Sequence, residues 1–546
     1  MEKQMWKFHL CIITSFLFLP ASFAEVIQNT ETTNEFSSIS RLQSLKNIQE
    51  NPHQTAPFVH ELNNRFHVRS LFVESPTLPI IDIQLTFNAG SARDSEIGTN
   101  LYGLSNMAAQ LMDEGTTNYT AQEIISTFES VGAKFSVAAY RDMFIIKLRT
   151  LSDPEKLQPA VAMILEVLNH STFKTPSIDL MLSNTAVGQK QLKENPDRMK
   201  NIVFYRTLYG KHPYAEPVTG TQASIKRITP ENLIEFRKRF LVRNNLNIAI
   251  TGQLNPKDAL KLSEKIAKQL PEGSKAKPLP TPIMRKDFNI RHIPYASSQA
   301  HVVMGEIGTT RDDPDYLALQ VANRIFGTGG FNSILNQELR VKRGLTYGAY
   351  SNFNFMQAAG PFSLGYSTEQ ENLLESIQIA HQALVYFIHT SIDEQQLEQA
   401  KLGMIRAFPN HYSSNATINA QLGAMGFYHL PADYLNRYSE KLNELTAIQV
   451  QNAIRKHLHP DRLTLVIFSK NLDKSTLEHI LQENLNTSKK LATPKTTLPK
   501  MGEQYHPPKE EAPLPDSSLY DMPASISSND LWSPDAYTKV DLPYLE

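Results

Sequence analysis

The chain has 546 residues, 54 Lys and Arg against 55 Asp and Glu, and a single cysteine. That length exceeds what one hydrophobic core supports, so two or more domains are expected. Balanced charge with no basic stripe excludes nucleic acid as a partner.

Lys3 and Lys7 give a positive start, residues 8–20 are apolar apart from His9, Thr14 and Ser15, and Ala21-Ser22-Phe23-Ala24 supplies small residues for cleavage after Ala24. This pattern predicts a secretory signal over residues 1–24 and a periplasmic or secreted protein, since a 13-residue segment is too short to cross a bilayer. Cys11 lies in the segment to be removed, so cysteine chemistry and sulfur-ligated metal sites are excluded from the mature chain. No 18-residue apolar run follows, and no transmembrane segment is expected in the mature chain.

Residues 25–55, rich in Asn, Thr, Ser, Gln and Glu, read as a flexible arm. Strict alternation at Ile81, Ile83, Leu85 and Phe87 predicts a strand, and Leu101, Leu104, Ala108, Leu111 and Met112 recur at helical spacing up to Gly115. A helix over 121–130, a strand pair at 134–139 and 142–148, and a helix over 153–168 follow. The same order returns later: a strand at 300–306, a helix over 316–326, the glycine cluster 327–330, a helix around 333–340, strands at 346–353 and 360–366, and a long helix over 371–387. Each block closes with a strand, at 245–252 and 463–469. This parallel predicts an α+β fold of two duplicated halves, each an antiparallel sheet with helices on one face, in a clam-like arrangement.

The expected domains are residues 56–270 and 285–484, joined by a linker at 271–284 whose first 12 residues hold four prolines. Residues 485–546 contain nine prolines, six Lys and Arg and nine Asp and Glu, a composition that predicts a disordered or surface-draped tail. Trp532, Tyr537 and Tyr544 read either as anchors or as scattered aromatics.

None of the 16 histidines forms HExxH or HxxEH, the helical arrangements that set two zinc ligands beside a base. His457 and His459 read more simply as surface residues at a helix end than as ligands. His381 has no carboxylate one turn away, and His389 has only Asp393. There is no GxSxG, and Gly327 to Gly330 lack the Lys-Ser or Lys-Thr of a phosphate loop, so those glycines are expected to let backbone pass close to a cavity between the halves. The strongest polar candidates are Arg340, at the end of an amphipathic helix, and Tyr347, which opens the following strand. Their donors could converge on one carbonyl, or the arginine could simply tie a loop.

With these residues in view the chain resembles the insulinase-type (inverzincin, M16) peptidases, in the branch whose two-domain chains pair as heterodimers. Residues 103–116 resemble the family's zinc helix in the flanking Gly103, the apolar spacing and the final Gly115-Thr116. His212-Pro213-Tyr214 with Pro217 and Gly220 resembles a second landmark, and Leu339-Arg340 through Tyr347 the family's arginine and tyrosine element. The resemblance covers about residues 60–480.

Where the family carries HxxEH this chain has Asn106, Ala109 and Gln110, and no glutamate lies between Glu166 and Glu194, where the third ligand is expected near 186–189. The resemblance therefore implies no metal in this chain, with zinc in a partner subunit, and Arg340 and Tyr347 as complementing residues that stabilise substrate or intermediate. It implies a non-catalytic or complementing subunit of an exported heterodimeric zinc metalloprotease, whose partners are a homologous zinc-bearing M16-type subunit and a peptide or unfolded polypeptide. A homodimer is also compatible with it. The competing expectations are a stand-alone metalloendopeptidase with atypical ligands and a peptide-binding scaffold without hydrolysis.

Overall fold

In the computed structural model the described residues are 56–193 and 195–491; the expected leader, the N-terminal arm and residues 492–546 lie outside them. Among the described residues eleven strands form two sheets. The first holds β1 (His60–Leu62), β2 (Arg69–Glu74), β3 (Ile80–Phe87), β4 (Lys134–Ala139), β5 (Phe144–Leu151) and β6 (Leu246–Gly252), in the order β1-β2-β6-β3-β5-β4. The second holds β7 (Asn289–Pro294), β8 (Gln299–Ile307), β9 (Ala349–Phe353), β10 (Pro361–Glu369) and β11 (Thr464–Ser469), in the order β7-β11-β8-β10-β9. Without the extra edge strand β1 the two orders are identical, so the fold is a duplicated α+β architecture.

Both sheets were expected to be antiparallel throughout, yet β2 with β6 and β7 with β11 run parallel. The closing strand of each half inserts between two strands of opposite direction. It must then lie parallel to one of them.

Apolar periodicity builds the inner layer of each half. Helix α1 (Leu104–Leu111) buries Leu104, Met107, Ala108 and Leu111, and α2 (Ala121–Ser130) opens with a Thr120–Glu123 capping box. α3 (Pro154–His170), α6 (Pro230–Phe240) and α7 (Pro256–Gln269) add buried residues to the same core. The second core gathers α8 (Tyr316–Asn323), α9 (Leu373–His389), α10 (Glu394–Ala407), α13 (Ala447–His457) and α14 (Lys474–Leu491). Leu477 and Leu481 anchor α14 in that core, which carries the helix past residue 485 to Leu491.

The remaining helices cover the other face of each sheet, which the sequence reading left open. α4 (Thr175–Lys193) leads into α5 (Pro196–Tyr209), whose Met199, Val203, Phe204 and Leu208 pack on Ile293, Val303, Val466 and Phe468 of the second sheet. Reciprocally, α11 (Asn415–Phe427) lays Ile418, Leu422 and Met425 against Leu71, Val73 and Ala249 of the first, and α12 (Tyr434–Glu444) adds Leu435. Gly423 makes this approach possible, because a Cβ there would meet Gln84 Nε2 at 1.9 Å. Each half thus donates a helix to the other. At about 1.5–3 kcal/mol per buried large apolar side chain, the exchange ties the halves far more strongly than the linker alone.

Candidate functional site

Helix α1 begins where Gly103 adopts φ 93°, a conformation that costs a Cβ-bearing residue. The side chain of Asp94 caps it from outside the helix: Oδ2 accepts from Gly103 N (2.8 Å) and Leu104 N (3.1 Å), and Oδ1 from Ser105 N (3.0 Å). Asp94 is fully buried, and burial pushes its carboxyl up to about 7 against the opposing pull of those three donors. A Cβ on Gly103 would lie 2.7 Å from Thr219 O, and one on Gly220 would lie 2.1 Å from Tyr102 O. Two landmarks singled out separately in the sequence, Gly103 and Gly220, are therefore one packing contact.

On α1 the Asn106 Nδ2 atom is enclosed without a hydrogen-bond partner, Ala109 is buried and Gln110 is exposed. The side chains at the third position, residues 186–189, lie outside the described ones. Two amides and a methyl group offer no imidazole or carboxylate, so the donor set does not fit zinc and provides no base for a water.

The histidines do not substitute. His457 Nε2 turns to Asp315 Oδ2 (3.0 Å) and Asp313 Oδ2 (3.6 Å), whereas His459 Nδ1 turns to Glu306 Oε2 (3.0 Å). They are paired with different carboxylates and do not converge. Asp313, Asp315 and His457 are the one group of potential ligands close enough for an ion among the described residues, but Lys456 Nζ already stands 2.7 Å from Asp315 Oδ2. His381 is fully buried, bonded through Nε2 to Pro460 O (2.8 Å), and burial pushes it down to about 4. His301 contacts both Ser367 Oγ (2.8 Å) and Asp197 Oδ1 (3.3 Å) through the same Nδ1 atom. A nucleophile relay requires the two opposite ring nitrogens, so this trio is structural.

Arg340 lies in a π-helical turn, Gln337–Val341, with its guanidinium 4.3 Å from the centroid of the exposed Phe331 ring. Gly344, at φ 65°, ends the helix with its N–H on Arg340 O (2.9 Å). The following loop is fixed to β10 by Thr346 Oγ1 on Ser367 O (2.7 Å) and Thr368 Oγ1 on Leu345 O (2.6 Å). Tyr347 projects from this pinned loop at 85% exposure. Asn336, unremarked in the sequence, joins helix to strand by exchanging two bonds with Ala349, Nδ2 to O (3.0 Å) and N to Oδ1 (3.1 Å). The glycine cluster serves this arrangement, not a cavity between halves: a Cβ on Gly327 would lie 2.4 Å from Ser351 N of β9.

His212-Pro213-Tyr214 proves to be a latch. Tyr214 donates to Asp142 Oδ1 (2.5 Å) and accepts from Ala358 N (3.0 Å), while Asp142 Oδ2 accepts from Gln357 N (2.8 Å) and His212 Nε2 meets Pro280 O of the linker (2.9 Å). Thus the turn between β4 and β5 is fastened to the turn between β9 and β10. Contacts separated by 72 and 144 residues leave no local signal for this role. A shallow groove of about 490 Å³ between residues 58–63 and Pro256, Lys257 and Leu260 contains none of the candidate residues.

Fold and site together define a duplicated peptidase scaffold whose metal-binding helix has lost its donors. The family model for insulinase (peptidase family M16) matches residues 69–222, and that for the peptidase M16 inactive domain matches residues 227–404. A crystal structure of a peptidase M16 inactive domain from Pseudomonas fluorescens superposes with a TM-score of 0.72 at 34% identity, covering 76% of this chain and 98% of that one. The non-peptidase homolog YmxG of Helicobacter pylori is 24% identical over 428 residues, 77% of this chain and 96% of the relative. An uncharacterized zinc protease of Rickettsia felis is 24% identical over 339 residues, 61% of this chain and 79% of the relative. The chain belongs to the M16 insulinase peptidase family, as a member that lacks the HxxEH motif and carries an M16 inactive domain. Among the described residues no helix is long and apolar enough to cross a membrane.

Proposed function

We propose that this chain is the complementing subunit of an exported heterodimeric zinc metalloprotease. It would supply a wall of the substrate chamber and the Arg340–Tyr347 element to a homologous zinc-bearing partner. The observation that carries this reading is the exposure of Tyr347 on a pinned loop that follows the Arg340 turn, on a chain whose helix α1 offers no metal donor. A rigid loop presents hydrogen-bond donors at little reorganisation cost, which is what stabilising a developing oxyanion requires. The guanidinium and the phenol would grip a carbonyl of a peptide or unfolded polypeptide while the partner's metal activates water. The relative named a non-peptidase homolog fits a role without intrinsic hydrolysis.

The test is reconstitution. Alone, the chain should not cleave peptides; mixed with the zinc-bearing M16 chain from the same envelope fraction, it should raise that chain's peptidase rate. Arg340→Ala should remove about 10²–10³ of the gain in kcat, the usual cost of losing one oxyanion donor, and Tyr347→Phe less. Peptide capture without cleavage even in the mixture, or full stimulation by both variants, would reject the complementing role.

A further inference from the structure

α11 packs on β2, β3 and β6, and the outer face of the adjoining β4–β5 hairpin carries exposed Lys134, Ser136 and Lys147 beside Arg149, whose side chain is 39% exposed. In the ladder Lys134 stands directly opposite Arg149, and Lys147 opposite Ser136. Arg149 is held by Asp82 through two bonds, Nε to Oδ1 (2.9 Å) and Nη2 to Oδ2 (3.0 Å). Among the described residues neither the Lys134 nor the Lys147 side chain has an ion pair or hydrogen bond. Some surface cations elsewhere are matched, as Lys342 and Arg343 are by Glu338, or Lys456 by Asp315.

Topology does not demand this charge. Through the register of the second sheet, Ser136, Lys147 and Arg149 correspond to Tyr350, Gly365 and Ser367. Like charges directly opposite in a sheet are destabilising, and neighbouring cations within about 10 Å share one field at 0.1 M salt. Such a ledge is suited to an extended segment of opposite sign.

We propose that this ledge is the docking surface for the acidic C-terminal segment of the same chain, residues 501–546. That segment carries nine Asp and Glu against two Lys, a net charge of −7, while the whole chain is at −1 and the first 500 residues therefore at +6. Trp532, Tyr537 and Tyr544 offer aromatic faces to lysine and arginine side chains. From Leu491 the remaining 55 residues span up to roughly 180 Å, so reach is no obstacle. Single exposed ion pairs are weak, but a tethered segment binds at an effective concentration near the millimolar range, and several pairs then hold it.

The chain carries its own reporter. Its two tryptophans are Trp6 and Trp532, so in the full chain with Trp6→Phe the emission comes from the acidic segment alone. Acrylamide quenching of Trp532 should increase at least about twofold between 0.1 and 1 M NaCl, as the screening length falls from about 10 to about 3 Å. Lys134→Glu with Lys147→Glu should give the same increase at low salt with an unchanged melting profile, whereas Lys226→Glu with Lys268→Glu, two exposed lysines outside the hairpin, should not. Quenching insensitive to salt, or released by salt but not by the Lys134 and Lys147 reversal, overturns the assignment. Protection that grows with protein concentration would assign the segment to a second copy, and overturns it equally.

Discussion

Asp82 and Arg149 in the first half stand where His301 and Ser367 stand in the second, because β3 pairs with β5 as β8 pairs with β10. The first half fills those positions with a bidentate ion pair and surrounds it with two unmatched lysines. The second fills them with a hydrogen bond between His301 and Ser367, and the histidine also meets Asp197, itself held well below the usual carboxylate range by His301 and Lys200 despite partial burial. The candidate chemistry divides in the same uneven way. α1 has a well-capped, tightly packed frame and no donors, whereas the 337–347 segment keeps its donors on a surface loop. The duplicated strand order is shared, while the side chains at these equivalent positions differ even where they are buried.

The comparison would break most severely at the latch that holds the two hairpins together. Tyr214→Ala removes a fully buried ring and leaves Asp142 and Ala358 N without their shared hydroxyl. Denaturant unfolding should show a loss of about 3–5 kcal/mol, with Tyr214→Phe losing about 1–3. A next step is to disturb the exchanged helix. Gly423→Ala drives a methyl group into Gln84 and should cost about 1–3 kcal/mol, lowering the melting temperature of both halves together because α11 belongs to one and covers the other.

The smallest effect sharpens the contrast at α1. The Asp94 carboxyl is raised in the fold to about 7 from 3.8, so its favourable contribution is full below pH of about 4 and is lost as the pH rises towards about 7. The melting temperature of the native chain minus that of Asp94→Asn should therefore fall across this window, by a modest amount because three backbone donors offset the burial. A difference that is flat with pH would show that Asp94 stays ionised throughout.

Much of the frame was legible along the chain. Alternation marked β3, helical spacing marked α1, and the loss of donors at Asn106, Ala109 and Gln110 needed only the sequence. The exchange of α5 and α11 was not legible, because a helix sandwiched between layers buries more than one side and shows no single apolar stripe. Asp94 was missed for a different reason: it caps a helix that begins ten residues later, beyond the reach of any local capping pattern.

The sequence by itself determined the duplicated α+β class and the absence of metal donors on α1, because period and side-chain chemistry are local properties. Only the tertiary structure decided that His212-Pro213-Tyr214 is a latch, that Gly103 and Gly220 are one contact, and that Lys134 faces Arg149. Each of these depends on which distant segments a strand register or a close backbone approach brings together, and register is set by the packed whole.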